Sequence, residues 1–479
     1  MNESKKTILL LSDDIRAWSG VGTVSKKIVE KTLSNFNWVQ IGGMLQVPSE
    51  MERYDLSEEY AEKTGIQDAS VIVYSSSGYG DYHKLMYVLN NHKIDAILHF
   101  TDPRYWEWLY NIEYELRVLK HIPIVYYHVW DNYPAPKYNI PFYKCSDLIL
   151  TISKQTHAIV KELIPDCIDL DINKKYEYDK LHIKYVPHGI DKTTFKPLSL
   201  TEPGNIYNAE LNTTEYDEML KLKDRIFNGK EYKYVILFNN RNISRKLSED
   251  LILAYNNYCN TLSKEDADKT LLIMHTNPID QYGSNLFTVV NDICNYPVYF
   301  STQKLDVRSL NMLYNIVTVT INVSNAEGFG LSTAESLMAG TPIIVNVTGG
   351  LQDQCGFTHD DGTMIENYTT NHDKRYGMVH GDWAHVIFPH QTLNGSITTP
   401  YIYDDYVSIN QIQNALAEFA NINDIYNTSE IAKERGKRGR EYLINNKFEA
   451  TDMANEFINN LNFIIENFFP RKKIRLTKV

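Results

Sequence analysis

The chain has 479 residues, a formal net charge of −12 and a hydrophobic content of 43%. This length exceeds what one hydrophobic core supports, so we expect a soluble protein of two domains. The acidic balance argues against a general polyanion binder. Five scattered cysteines without a C-x-x-C pair argue against a zinc site and favour the cytoplasm. No apolar run has the roughly 18 residues of a membrane span, and the run at residues 8–11 is too short for a signal peptide.

The first half alternates short apolar runs with amphipathic segments, which predicts a doubly wound parallel sheet. The predicted strands are Thr7–Leu11, Trp38–Ile41, Val71–Tyr74, Ala96–Phe100, Ile124–Tyr127, Leu148–Ile152 and Lys184–Val186. The predicted helices are Val21–Leu33, Tyr82–Asn90, Arg104–Lys120 and Lys154–Leu163.

Two features of this half come soon after predicted strands. Gly20 and Gly22 form a G-x-G after the first strand, which by itself indicates only a tight turn into a helix. His128 follows the predicted strand Ile124–Tyr127, at its carboxyl end. Functional groups gather at the carboxyl ends of parallel strands, although a lone histidine is more often structural.

The second half begins with a polar connector, residues 198–230, with a helix predicted near Glu215–Phe227. After the strand Tyr234–Phe238 come Arg241, Arg245 and Lys246, which lead into a helix near Glu249–Tyr258. A guanidinium fork and an ammonium after the first strand of a nucleotide-binding domain suit a pyrophosphate. A solvated basic loop is the alternative interpretation.

The most informative stretch runs from Ile316 to Val347 and predicts a strand, a glycine-bearing loop, a helix at Leu331–Ala339 and another strand. Gly340 and the proline at 342 are typical of the end of a helix. Glu327 lies in the loop and Glu335 lies eight residues later, in the helix. The start of such a helix attracts anions, and carboxylates accept hydrogen bonds from sugar hydroxyls. An ordinary βαβ unit with two acids remains the alternative.

The two glutamates with their neighbours, E-G-F-G-L and E-S-L-M-A-G-T-P, resemble the E-x7-E motif of retaining GT-B fold glycosyltransferases of the family-4 type, also called glycosyl transferases group 1. Val186-Pro187-His188-Gly189-Ile190-Asp191 resembles the hinge-side motif of the same family, with His188 where asparagine is common. The resemblance covers roughly residues 7–355 and 409–468. It implies an α/β protein of the GT-B class, with two Rossmann-like doubly wound domains facing across a cleft.

The resemblance also implies roles for particular residues. Glu327 would lie against the donor sugar and Glu335 would hold the ribose, while Arg241 and Lys246 would contact the β-phosphate, with Arg245 as the alternative register. His128 would lie near the reacting sugar. The remaining donor-binding residues would be Gly20, Gly22, Gly328, Phe329, Gly330, Leu331, Ser332 and Thr333. The nucleobase would lie near Ser301–Leu305, and no metal ion or other cofactor would be needed.

The implied domains are residues 1–199 on the acceptor side, residues 200–455 for the nucleotide sugar, and residues 456–479 as a helix that returns to the first domain, followed by a basic tail. Residues 355–406 depart from the family pattern with an insertion that we interpret as a lid or an acceptor-side element. Its five histidines lack a metal-ligand spacing (His359, His372, His380, His385 and His390).

We therefore expect a cytoplasmic, metal-independent hexosyl- or pentosyltransferase that takes a nucleoside diphosphate sugar and an acceptor hydroxyl on a saccharide, lipid, protein or modified DNA base. Three alternatives stay open. The first is an enzyme that glycosylates hydroxymethylated bases in DNA, as similar enzymes in bacteriophages do. Only the basic tail and Lys26-Lys27 favour this alternative. The other two alternatives are a nucleotide-sugar epimerase and a non-catalytic nucleotide-sugar-binding protein.

Overall fold

The computed structural model describes residues 5–47, 49–198, 209–366, 368, 379–423 and 430–470. The chain divides into two compact units. Unit 1 comprises the described residues of Met1–Gly189, Ser396–Pro400 and Ala450–Val479, and unit 2 those of Ile190–Gly395 and Tyr401–Glu449. The predicted basic tail from Arg471 onward, and His372 of the insertion, lie outside the described residues.

Unit 1 contains a nine-stranded sheet in the order β3-β4-β2-β1-β5-β6-β7-β9-β8, and every pairing is parallel except that of β3 with β4. The sheet forms because apolar, β-branched runs bury both faces, as parallel sheets require. Its strands are β1 (Lys6–Asp13), β2 (Phe36–Gly43), β3 (Arg53–Asp55), β4 (Val71–Ser75), β5 (Ala96–Phe100), β6 (Ile124–His128), β7 (Leu148–Thr151), β8 (Ile168–Asp169) and β9 (His182–Tyr185).

The helices that follow these strands are α1 (Gly20–Thr32), α2 (Ser57–Thr64), α3 (Tyr82–Asn91), α4 (Glu107–Asn111), α5 (Ile140–Lys144) and α6 (Lys154–Leu163). The single helix predicted for Arg104–Lys120 is wrong, because this segment forms a 3-10 turn, the short α4 and a π turn at Glu115–Leu119. Arg117 lies in the π turn and is buried in an ion pair with Asp147, at 2.6 Å. A buried guanidinium needs such a partner, because leaving its charge uncompensated is costly.

Unit 2 contains a six-stranded, wholly parallel sheet in the order β12-β11-β10-β13-β14-β15 and a separate antiparallel hairpin, β16-β17. Its strands are β10 (Tyr234–Asn239), β11 (Thr270–His275), β12 (Val298–Ser301), β13 (Val319–Asn322), β14 (Ile343–Asn346), β15 (Ala384–Ile387), β16 (His390–Asn394) and β17 (Ile402–Tyr406). The insertion thus supplies the sheet's last strand and the hairpin, which its sparse apolar residues did not indicate.

The helices of unit 2 are α7 (Ala209–Phe227), α8 (Ser248–Cys259), α9 (Lys264–Asp268), α10 (Leu286–Ile293), α11 (Val307–Asn315), α12 (Leu331–Met338), α13 (Leu351–Gln354), α14 (Ile409–Asn423) and α15 (Glu430–Asn445). Its hydrophobic core lies between the sheet and α8 and α14, with Tyr255, Leu251 and Leu416 fully buried. The loops that carry the candidate site follow the carboxyl ends of β10, β13 and β14.

The last helix, α16 (Ala450–Asn467), belongs to unit 1 and packs against α1. Its Phe457 meets the ring of Tyr127 edge to face at 5.0 Å, and its Met453 accepts a hydrogen bond from the backbone N–H of Gly189. No helix among the described residues is both long enough and apolar enough to span a bilayer.

Candidate active site

The centre of the candidate site is an ion pair between Lys246 and Glu327. Lys246 lies in a 3-10 turn after β10, and Glu327 lies in the loop after β13. The strands β10 and β13 are neighbours in the sheet, so both loops leave the same edge, and Lys246 Nζ donates to Glu327 Oε2. The side chain of Lys246 is 7% exposed and that of Glu327 15%. Both are site residues predicted from the sequence, and the fold brings them together.

Electrostatics keep Glu327 ionised. Burial raises the pKa of a carboxyl group, but the ammonium of Lys246 and the guanidinium of Arg245 outweigh it and lower the pKa of Glu327 below its ordinary value. Asn322 and Ser324 are further donors to Glu327 Oε2, at 3.4 and 3.5 Å. The loop therefore holds a charged carboxylate that is partly shielded from water.

Arg245 fixes the loop that carries Glu327. Its guanidinium donates to the carbonyl of Ala326, and its own carbonyl accepts from the N–H of Asn325 at 2.8 Å. Arg241, in contrast, lies on another loop, where it forms a two-point ion pair with Asp280 at 2.8 and 3.1 Å and lies over the ring of Tyr282. In this conformation Arg245, the alternative to Arg241 in the sequence-based assignment, lies with Lys246 beside Glu327 and the residue before it. The phosphate role of Arg241 stays a prediction.

The helix α12 begins at Leu331, three residues after Gly328, and Gly330 precedes it with φ +87°. A side chain at Gly330 would be strained, because L-residues rarely adopt this region. The first N–H groups of a helix, here those of Leu331, Ser332 and Thr333, have no intrahelical acceptor and form an anion-binding position. Phe329 is buried in unit 2, with its ring 6.0 Å from that of Phe448.

A second glycine turn supports this loop. The N–H of Gly350 donates to the carbonyl of Glu327 at 3.0 Å. A Cβ atom at Gly350 would lie 2.4 Å from the carbonyl oxygen of Gly328, so only glycine permits this approach. Gln354 on α13 donates to the carbonyls of Phe329 and Gly330. Nothing in the local sequence of Thr348-Gly349-Gly350 indicates which loop this turn supports.

Glu335 lies in the second turn of α12 and accepts a hydrogen bond from the hydroxyl of Tyr314 at 3.0 Å. The amide of Asn239, the last residue of β10, donates to the same hydroxyl at 2.8 Å. Tyr314 and Asn239 thus orient one carboxylate oxygen of Glu335. Sequence reasoning missed both residues, because nothing in their local pattern links α11 to α12. The segment Ser301–Leu305, predicted near the nucleobase, begins at the last residue of β12 and continues into the loop before α11.

The site residues predicted in the first half lie in unit 1. Ser19 caps α1 by accepting from the N–H of Gly22 at 2.9 Å, and it donates to the carboxylate of Asp13 at 2.6 Å. A Cβ atom at Gly22 would lie 2.7 Å from the carbonyl oxygen of Ala17, so the turn excludes side chains there. Gly20 is the first residue of the helix.

His128 is fully buried at the end of β6. Its Nε2 is 2.7 Å from the hydroxyl of Tyr143, its Nδ1 accepts from the N–H of Trp130, and its ring stacks on Tyr126. Burial lowers the pKa of His128 to about 3, so the ring is neutral at physiological pH. Both nitrogens are engaged within unit 1 in this conformation, and a role beside the sugar stays a prediction.

Four histidines of the insertion lie among the described residues, namely His359, His380, His385 and His390. Among the residues that the structure describes, no group of three His, Cys, Asp or Glu side chains is placed to hold a metal ion. His385 lies on β15, with its Nε2 3.4 Å from a carboxylate oxygen of Glu418. The five cysteines are free thiols.

No protein-family model matches the sequence, and a search of curated proteins finds no match. Solved structures do resemble the chain. HepE from Anabaena, crystallised with UDP and glucose, is 13% identical, with a TM-score of 0.59 over 95% of this chain and 99% of that one. Sucrose-phosphate synthase from Thermosynechococcus elongatus is 15% identical, with a TM-score of 0.59 over 96% and 100%.

A third similar structure is the UDP-forming α,α-trehalose-phosphate synthase from Burkholderia xenovorans, crystallised with glucose-6-phosphate. It is 10% identical, with a TM-score of 0.62 over 95% of this chain and 100% of that one. At such identities the likeness establishes the fold. The chain has the GT-B class of fold, built from two Rossmann-like α/β units, which confirms the predicted fold class.

Proposed function

We propose that this chain is a retaining glycosyltransferase that moves a hexose or pentose from a nucleoside diphosphate sugar to an acceptor hydroxyl without a metal ion. The observation that carries the proposal is the largely buried Lys246–Glu327 pair, in which Glu327 lies three residues before Gly330, the residue that precedes α12. It joins a cation, a carboxylate and a helix N-terminus at one edge of a Rossmann-like sheet, where ligands of this class of fold bind. The fold shared with proteins crystallised with UDP and sugars supports the same function.

In this proposal the nucleoside diphosphate is the leaving group, and Lys246 and the N-terminus of α12 stabilise its negative charge. As the bond between the anomeric carbon and the phosphate oxygen breaks, negative charge grows on that oxygen. An ammonium has three N–H donors, so Lys246 is able to hold Glu327 and a phosphate oxygen together. The N–H groups at Leu331–Thr333 stabilise the same charge, and such preorganised donors act where charge develops. Arg241 joins them once it leaves Asp280.

Glu327 and Glu335 bind different parts of the donor. Glu327 accepts hydrogen bonds from sugar hydroxyls, and its lowered pKa keeps it in the accepting form. Glu335, oriented by Tyr314, accepts from the ribose hydroxyls. The departing phosphate takes the acceptor's proton as the acceptor oxygen attacks from the same face. This route gives retention of configuration without a carboxylate nucleophile.

The test is a matrix of sugar nucleotides against acceptor fractions. UDP-, GDP- and ADP-hexoses and a UDP-pentose are combined with saccharide, lipid, protein and hydroxymethylated DNA fractions, and nucleoside diphosphate release is measured. We expect release with at least one donor, a transferred sugar in one fraction, and unchanged rates in excess EDTA. Interconversion of sugar nucleotides without transfer would indicate an epimerase, and donor binding without turnover a binding protein. A strict requirement for Mg²⁺ or Mn²⁺ would contradict the metal-free mechanism.

A further inference from the structure

The insertion, which is absent from the family pattern, contributes one residue to the support of the donor loops. Asp405 lies on β17 and is 3% exposed. Its Oδ2 accepts from the hydroxyl of Thr348 at 2.7 Å, and its Oδ1 accepts from the amide of Gln391 on β16 at 3.0 Å. The two carboxylate oxygens thus join the hairpin to the glycine turn that supports Glu327.

The backbone of Asp405 reaches the other donor loop. Its N–H donates to the carbonyl of Asn325 at 3.1 Å. The amide of Asn346, at the end of β14, donates both to the carbonyl of Asp405 and to that of Ser324, at 2.6 and 2.8 Å. Asp405 therefore lies where the loop before Glu327 and the turn after β14 come together.

These two segments set the position of Glu327. The first segment is the peptide that leads to Glu327, and the second contributes the Gly350 N–H that holds its carbonyl at 3.0 Å. A carboxylate has two oxygens with about four acceptor positions, so Asp405 serves both neighbours at once. In a buried setting these bonds favour one arrangement, because leaving a donor or acceptor of the Asp405 carboxylate unpaired is costly.

We propose that Asp405 is a positioning residue of the donor site, acting through Thr348 and the Ser324–Glu327 loop on the carboxylate of Glu327. This inference rests on the proposed function. It assigns the strands of the insertion hairpin to the support of the donor loops in unit 2. The lid or acceptor-side role expected from the sequence stays a separate prediction.

The test is a double-mutant cycle on the Asp405–Thr348 bond. Asp405→Asn leaves one acceptor oxygen for two donors, and Thr348→Val removes the hydroxyl at constant shape. With UDP-glucose, or whichever sugar nucleotide of the matrix the wild type turns over fastest, we expect each variant to lower kcat about tenfold. The affinity for UDP, measured by calorimetry, should change less than threefold, because Glu335 and the α12 N-terminus remain intact.

The double variant should also lose about tenfold, since both changes break the same bond, and Thr348→Ser should restore most activity. Asp404→Asn is the matched control. Asp404 precedes Asp405 on the same strand, faces the other side of the hairpin and contacts Asn394, so its replacement should leave kcat unchanged.

Losses that multiply to about a hundredfold, an equal loss in Asp404→Asn, or unchanged kcat in Asp405→Asn would each overturn the proposal. A failure of the proposed function looks different, because the wild type itself would then turn over no donor of the matrix.

Discussion

Lys246 and Glu327 show what local sequence reveals about a residue and what it does not. The basic loop around Lys246 and the glycine-bearing motif around Glu327 indicate each residue separately. Their contact joins positions 81 residues apart and depends on β10 lying beside β13. His128 differs from this pair. The local sequence predicts its place at the end of a strand but not its complete burial. Burial is set by the residues that surround it in the fold.

At the same scale, the pair predicts a pH-dependent stability. Removing the ammonium in Lys246→Met leaves the carboxylate of Glu327 buried without its partner, which costs about 3 kcal/mol at pH 7. That corresponds to roughly 6–12 °C in the unfolding midpoint of a domain of this size. The wild-type pKa of Glu327 is lowered, so the pair stabilises above the unfolded pKa and loses this contribution as the pH falls through the folded pKa.

In the variant, the pKa of Glu327 should be higher than in the wild type, because the ammonium that lowers it is gone, and protonation then relieves the penalty at low pH. The difference between the two midpoints should therefore shrink between pH 7 and pH 4 in thermal unfolding. Lys246→Met/Glu327→Gln is the control and should recover much of the stability at pH 7. A difference that is constant with pH would show that the pair is not the source of the effect.

Glu335 leads to a prediction about affinity. If its carboxylate accepts a hydrogen bond from the ribose, Glu335→Ala should weaken the binding of UDP by about 1.5–3 kcal/mol, or roughly ten- to a hundredfold. Tyr314→Phe removes only the hydroxyl that orients it and should cost less. Calorimetric titration with UDP measures both. An unchanged dissociation constant in Glu335→Ala would refute the ribose role.

At the scale of elements, the sequence predicted most of the long helices and the parallel strands, because their periodicity and their glycine and proline boundaries are local signals. The helix predicted at Leu331–Ala339 is observed as Leu331–Met338. The insertion hairpin was not predicted, because β16 is mostly exposed and carries few apolar residues, and because the bonds of Asp405 to the turn after β14 are non-local. The segment Arg104–Lys120, predicted as one helix, likewise forms three short helical pieces, one of which carries the non-local ion pair of Arg117.

The close approach of the turn at Gly350 to the loop at Gly328 and Phe329 can be tested by substitution. In Gly350→Ala the new Cβ would lie 2.4 Å from the carbonyl oxygen of Gly328 and 2.6 Å from the Cα of Phe329, and both are backbone atoms. We expect a destabilisation of about 2–3 kcal/mol and a loss of donor turnover of at least tenfold.

Gly229→Ala is the control for this change. Gly229 has φ +75° and no atom within 4 Å of the added Cβ, so only the backbone penalty of about 1 kcal/mol applies. Its donor turnover should be unchanged. Thermal unfolding and donor turnover are measured on both variants. Equal effects at both glycines would show that the close approach to the Glu327 loop is unimportant.

At the scale of the whole molecule, the central claim is retaining transfer from a nucleoside diphosphate sugar. The most direct measurement is proton NMR of the anomeric signal in the first minutes of turnover, with the α-linked donor that the wild type uses and either its acceptor or water. The account predicts an α-configured product, formed at the same rate in excess EDTA and lost in Glu327→Ala. A β-configured first product, or full turnover in Glu327→Ala, would contradict it.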